Sequence, residues 1–230
     1  AEPVTGERHL PFFKLLEALE SPGCPVCRQA DQAAGDTIRH LLHELVNDDR
    51  LRSRLAGSFG FCHDHAWRVV AQTDVLGTAI LHLELVDRFR RQLRDGEPVP
   101  NGAARCLVCE VAEDTAAGSL QTLVAHLDDP AVEHAFAASD GLCRDHYAEA
   151  ARRAPPGTRL EGLQRRSLDR LVAQLDELIR KQDHRFRDEE LEPGERTAWM
   201  RAVAAVSGLD TGRLPRARPA SFPPARRSPP

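Results

Sequence analysis

Aromatic residues make up only 5% of this 230-residue chain, with a single tyrosine, Tyr147, two tryptophans and one methionine. A core must therefore be built from aliphatic side chains. Ala, Leu, Arg and Glu dominate, β-branched residues are sparse, and no run alternates apolar and polar residues over the length of a strand. That excludes a sheet and predicts an all-α fold. No stretch reaches the roughly eighteen apolar residues that a membrane span needs, and no signal peptide opens the chain, so the cytoplasm is the expected address. The net charge of −4 provides no global basic field for nucleic acid. The phosphate-binding and hydrolase signatures G-x-x-x-x-G-K-[ST], G-x-G-x-x-G, G-x-S-x-G and H-E-x-x-H are missing, as is the E-x-x-H of di-iron bundles.

What the chain does have is six cysteines, all of them used in one pattern that occurs twice. Cys24-Pro25-Val26-Cys27 is followed by Gly60-Phe61-Cys62-His63-Asp64-His65. Cys106-Leu107-Val108-Cys109 is followed by Gly141-Leu142-Cys143-Arg144-Asp145-His146. The gap between the second and third cysteine is 34 residues in the first copy and 33 in the second. A C-x-x-C turn brings two thiolates to one ion, and C-x-x-H at the start of a helix adds a thiolate and an imidazole on one face. Three thiolates and one imidazole are the Cys3His set of closed, tetrahedral structural zinc sites. Two centres are expected, Cys24, Cys27, Cys62 and His65 in one and Cys106, Cys109, Cys143 and His146 in the other. The repeat selects the histidine: His65 corresponds to His146, whereas His63 corresponds to Arg144. Asp64 and Asp145, retained beside the imidazoles, suit a supporting or helix-capping role. Two zinc ions are one reading of this donor set. Two iron–sulfur clusters are the alternative that spacing leaves open, and with them a role in electron transfer.

Helical periodicity gives the rest. Short helices are expected over Leu10–Glu20, Leu51–Ala56, Cys62–Ala71, Ala131–Ala138 and Cys143–Arg153. Longer ones fall over Pro25–Val46, Asp74–Arg94, Glu110–Leu127 and Leu160–Gln182, with a closing helix over Glu195–Val206. The expected architecture is a pseudo-symmetric helical bundle from an internal duplication, each half stapled by its own Cys3His site and the halves packed through their long leucine faces. Residues 1–98 form the first repeat with an N-terminal helix, 99–186 the second repeat, 187–212 the closing helix, and 213–230 a tail. That tail carries five arginines, six prolines and no acidic residue, a composition that reads as disordered and is the one segment suited to a nucleic acid or a partner.

Two other histidine arrangements carry less. His82-Leu83-Glu84 ahead of Cys106 shares an outline with the H-x-E … P-C-x-x-C signature of zinc deaminases, but Arg105 stands where proline belongs and no strands accompany it. His40 and His43 are replaced by Thr122 and Ala125 in the second copy and read as a surface pair. The whole arrangement of C-P-x-C, G-F-C-x-x-H, C-x-x-C and G-L-C-x-x-H resembles a family of prokaryotic helical proteins catalogued as a domain of unknown function. The resemblance covers about Leu10 to Gly208, including the helix with Trp199. It implies no activity and supports only that the eight donors form a real pattern. A four-ligand closed site leaves no open position for substrate. The expected function is therefore a metal-binding scaffold, not an enzyme at its metals, that binds a protein partner or small ligand in a groove between its halves, bordered by His40, His43 or His82; an enzyme with a site that no motif identifies is the further alternative.

Overall fold

The computed structural model describes residues 9–99, 105–186 and 188–209; the tail over 213–230 lies outside the described residues. Among them the chain forms ten helices and no strand. In chain order they are α1 (Leu10–Leu19), α2 (Pro25–His43), α3 (Asp49–Ser58), α4 (His63–Val70), α5 (Val75–Asp95), α6 (Leu107–Ala125), α7 (Pro130–Ala138), α8 (Arg144–Arg153), α9 (Leu160–Arg180) and α10 (Pro193–Ser207). Short side chains start several of them. The Asp48 carboxylate accepts from the Leu51 amide at 2.8 Å, Asp74 from Gly77 at 2.8 Å and Asp129 from Ala131 at 2.9 Å. Helix α10 opens on a capping box between Glu192 and Glu195, with Pro193 in its first turn.

The helix order α2 to α5 has lengths of 19, 10, 8 and 21 residues, and α6 to α9 has 19, 9, 10 and 21. The main contact in the molecule is between α2 and α6, the first long helix of each copy of the cysteine pattern. Helix α2 contributes to two core clusters. Its first turn, with Val26 and Cys27, packs with α1, the end of α6 and helices α7 to α9, around Leu123, Phe136 and Leu163. Its second half, with Ile38, Leu41 and Leu42, packs with α3, α4, α5 and the start of α6, around Leu51, Leu55 and Leu107. The N-terminus of each long helix thus lies against the C-terminal half of the other, so the two run antiparallel. Each of these two clusters draws on helices from both α2–α5 and α6–α9.

This placement overturns the expectation that each half closes on itself. Helix α2 has 19 residues, about 28 Å at 1.5 Å per residue, and α3 and α4 follow from its far end. Their apolar positions are satisfied against that far end, so the residues of α4 do not return to Cys24. The face expected on α5 is also only half used. Leu81 and Leu85 are buried, but Phe89 and Leu93 are exposed. The matching helix α9 is overlaid by α10, with Leu171, Leu178 and Ala198 forming a third, smaller cluster.

The packing has a direct consequence for stability. Phe136 is fully buried and Leu83 is 71% exposed. Phe136→Ala should cost about 3–5 kcal/mol of unfolding free energy, while Leu83→Ala should stay within about 0.5 kcal/mol. Denaturant titration followed by circular dichroism measures both.

Candidate metal centres

All four cysteine motifs sit at helix N-termini. Cys24, Cys62, Cys106 and Cys143 are the N-cap residues of α2, α4, α6 and α8, and none of these helices has a side-chain oxygen capping it. The second donor of each motif, three residues on, lies in the first turn. The helix expected from Pro25 begins there, with the proline preset for the first turn of α2, whereas the one expected from Glu110 begins three residues earlier, at Leu107, directly after Cys106. A thiolate there meets the unpaired amides and the positive end of the helix dipole. The glycines of G-F-C and G-L-C make the entry turn: Gly60 has φ of 97° and Gly141 of 73°, conformations that favour glycine. A Cβ on Gly141 would lie 2.8 Å from Gln164 Oε1.

The eight donors come together as two groups of four, but in a different partition from the one expected. Cys24 and Cys27 meet Cys143 and His146, while Cys106 and Cys109 meet Cys62 and His65. Each group takes its C-x-x-C from one copy of the cysteine pattern and its C-x-x-H from the other. The antiparallel α2–α6 pair is the reason, since it carries Cys24 and Cys27 to the end where α7 and α8 pack, and Cys106 and Cys109 to the end where α3 and α4 pack. His63 is exposed, with its ring 6.5 Å from that of Trp67, and belongs to neither group.

Within each group the donor atoms all lie within 4.8 Å of one another. In the first centre His146 Nδ1 is 3.5 Å from Cys24 Sγ, 3.3 Å from Cys27 Sγ and 3.2 Å from Cys143 Sγ, and the Cys27 and Cys143 sulfurs are 3.7 Å apart. In the second, His65 Nδ1 is 3.2 Å from Cys62 Sγ, 3.6 Å from Cys106 Sγ and 3.3 Å from Cys109 Sγ, and the Cys62 and Cys109 sulfurs are 3.6 Å apart. No cysteine is in a disulfide. Each group can hold one metal ion. The exposures differ: Cys24, Cys27 and Cys143 are all buried, whereas in the second centre only Cys106 is, and Cys62 and Cys109 are half-buried.

Crowding three sulfurs and an imidazole redistributes their protons. Hydrogen bonds from Cys24 and Cys27 hold the Cys143 thiol well below its usual range, while its sulfur and that of Cys27 push Cys24 far up. Burial alone would lower His146, but the Cys143 and Cys27 sulfurs beside it outweigh that and raise it to about 10. In the second centre burial would raise Cys106, yet His65 and the amides of Cys62, Cys109 and Val108 bring it down to about 6. Burial and the Cys62 sulfur push Cys109 up to about 12.

The supporting contacts include residues that the sequence pattern did not single out. The buried Gln164 clamps the backbone just before Cys143, accepting from the Leu142 amide and donating to the Leu142 carbonyl, both at 2.9 Å. Its only sequence signal is a polar residue inside the leucine stripe of α9. Asp140 accepts from the Gly23 amide at 2.7 Å and from Arg201 Nε at 2.9 Å, tying the loop before Cys24 to α10. Arg170 donates to the Ala137 carbonyl at 2.8 Å, and Arg88 donates to the Ala56 carbonyl at 2.5 Å. Asp145 pairs with Arg144 at 3.0 Å on the surface and caps nothing. His40 is exposed and pairs with Glu44 at 3.3 Å, and His43 is exposed too. His82 is half-buried, with Nδ1 2.8 Å from the Thr78 carbonyl. None of these three borders the cleft of about 820 Å³ between the α1–α2 loop, α7 and α10, which is lined by Arg28, His134, Asp140, Met200, Arg201 and Leu209 among others.

No protein-family model matches the chain, and no solved structure matches it. It is similar to an uncharacterised 23.9 kDa protein from the xynA 3′ region of Caldicellulosiruptor sp. (strain Rt8B.4), 24% identical over 204 residues, which cover 84% of this chain and 99% of that one. This agrees with a family of unknown function. No described helix is long and apolar enough to cross a membrane.

The crossed partition makes a pairing test available. Cys27→Ser and Cys143→Ser together remove donors from one centre, so the double variant should lose about one metal equivalent, no more than either single variant. Cys27→Ser with Cys62→Ser spans both centres and should lose about two. Elemental analysis of the purified variants reads the difference, and a centre closed within each repeat would give the opposite pattern.

Proposed function

We propose that the chain is a zinc-clamped helical scaffold, in which two Cys3His zinc centres lock two repeats of a duplicated sequence into one body and leave recognition to the surface. The spacing of the donor atoms carries this reading. A tetrahedral ion with bonds of about 2.3 Å to sulfur and about 2.0 Å to nitrogen has edges of about 3.8 Å between sulfurs and about 3.5 Å between sulfur and nitrogen. The Cys27–Cys143 and Cys62–Cys109 distances of 3.7 and 3.6 Å, and the sulfur–nitrogen distances of 3.2 to 3.6 Å, fit such a tetrahedron. An iron–sulfur cluster interposes bridging sulfide between irons and spreads thiolates on different irons well beyond one such edge, so the spacing favours a single ion. Zinc supplies no redox chemistry, and four protein donors leave it no position for substrate. The residues act by fixing helix ends: Cys24 and Cys27 hold α2 to α8, and Cys106 and Cys109 hold α6 to α4. Free thiols suit a reducing compartment, in keeping with a cytoplasmic address. The cleft beside the first centre is the place for a small ligand or partner segment, with Arg28, which donates to the Pro22 carbonyl and whose Nε is buried without a hydrogen-bond partner among the described residues, offering a cation in partly apolar walls.

Purified protein should carry two zinc ions per chain, measured by elemental analysis. Removing them with a strong chelator should lower the helical signal and the melting temperature together, because metal-binding and folding free energy are then the same quantity. A chelated chain with unchanged helicity and melting would rule the clamp out.

The protonation pattern adds a pH dependence. His146 at about 10 and Cys109 at about 12 hold their protons at neutral pH, while Cys106 at about 6 has already lost its own. Zinc must displace the protons that remain, so its affinity should rise as pH rises from about 5 to about 8 and fall on acidification. Titration calorimetry in two buffers of different ionisation enthalpy should show proton release on binding.

A further inference from the structure

The two centres are alike in geometry and unlike in protection. The closest sulfur pairs correspond across the repeat: Cys27 and Cys143 at 3.7 Å in the first, Cys109 and Cys62 at 3.6 Å in the second. The first pair is buried, and the second is half-exposed on both sides. The shells differ in the same direction. In the first centre Gln164 fixes both backbone groups of Leu142, Asp140 joins Gly23 to Arg201, and α10 packs over α8 and α9. In the second, Leu85 stands against Gly60 where Gln164 stands against Gly141, so no side-chain amide holds the turn, and α4 leaves Trp67 and Val70 exposed beside it.

Building on the zinc reading above, we propose that the centre of Cys62, His65, Cys106 and Cys109 is a peroxide-sensitive metal-release site, while the centre of Cys24, Cys27, Cys143 and His146 is the permanent clamp. The step balances with hydrogen peroxide as oxidant. One thiolate of the Cys62–Cys109 pair attacks a peroxide oxygen, forming a sulfenic acid as the O–O bond breaks and hydroxide leaves. The other thiolate displaces the sulfenic oxygen as a second hydroxide and forms the S–S bond. Two sulfurs are oxidised by two electrons in all, peroxide is reduced to two waters after taking two protons, and zinc leaves unchanged in oxidation state. The short distance between the sulfurs provides for the second displacement, and their exposure admits the first reactant. The new disulfide continues to tie α4 to α6, so the helices stay together when the ion leaves. The corresponding pair in the first centre, 3.7 Å apart, is buried and closed to the oxidant.

The test uses the full chain loaded with zinc, treated with hydrogen peroxide beside a metallochromic indicator, with timed samples alkylated, digested and mapped by mass spectrometry. One zinc equivalent should leave in a fast phase together with a Cys62–Cys109 disulfide and an unchanged helical signal. The second should leave at least about tenfold more slowly, because its release waits on opening of the more protected end. Release of both equivalents in one phase, or a Cys27–Cys143 disulfide forming first, overturns the inference and leaves the zinc reading standing. A chain that takes up no zinc fails at the loading step, before any oxidant is added, and removes both.

Discussion

Each group of four donors is closed by two helix N-termini, those of α2 and α8 in one and of α6 and α4 in the other. That constraint orders the rest of the architecture. Helices α2 and α6 lie side by side and antiparallel, so each delivers its C-x-x-C to the end where the C-x-x-H from the other copy of the pattern is found. The short helices pack where the long helices put their far ends, and the two core clusters form around the two centres. The first centre joins positions 119 residues apart, between Cys27 and His146, and the second joins Cys106 and His65, 41 apart. Loop-closure entropy grows only logarithmically, by about 0.6 kcal/mol per doubling. The long closure therefore costs only about 1 kcal/mol more than the short one, so chain entropy weighs little against the crossed pairing.

The electrostatics of the four helix starts follow from the same placement. Positions usually held by Ser, Thr or Asp and, three residues on, by Glu are held here by thiol and by thiol or imidazole. The amides of Val108 and Cys109 act on Cys106 as they would on a capping carboxylate, stabilising the anion. Neighbouring donors then compete for the charge, which is why Cys143 is driven down while Cys24 and His146 are driven up. A divalent cation at the centre of the four removes that competition, so the same arrangement that makes the helix ends costly without an ion makes them favourable with one.

Much of this was legible in the sequence, and the part that was not has a definite physical cause. Periodicity and caps placed the helices to within a few residues, because Asp48, Asp129, Pro25 and Pro193 act locally. The repeat also separated His65 from His63, since only one register recurs. It does not encode which C-x-x-C meets which C-x-x-H. The two copies have the same spacing and chemistry, so exchanging their partners leaves every local rule satisfied, and the choice belongs to the packing of α2 on α6. Gln164 was hidden for a related reason: on α9 it falls in the buried stripe with Leu160, Leu163 and Leu171, where its role depends on the Leu142 backbone coming within reach.

The donors are also core residues. Cys24, Cys27 and Cys143 belong to the cluster of Phe12, Leu123 and Phe136, and Cys106 belongs with Ile38, Leu42 and Leu55. Few aromatic side chains are available to fill these clusters, and small thiols leave little apolar area per residue to offset conformational entropy. A structural zinc site is associated with about 10–16 kcal/mol of apparent binding free energy, against a total domain stability of about 5–15 kcal/mol. On that comparison two zinc ions would not be reinforcement added to a finished bundle: they would take the place of the aromatic packing that the composition lacks. Because each donor group and each of the two larger clusters draws on both α2–α5 and α6–α9, neither set of helices has a complete core or a complete centre without the other.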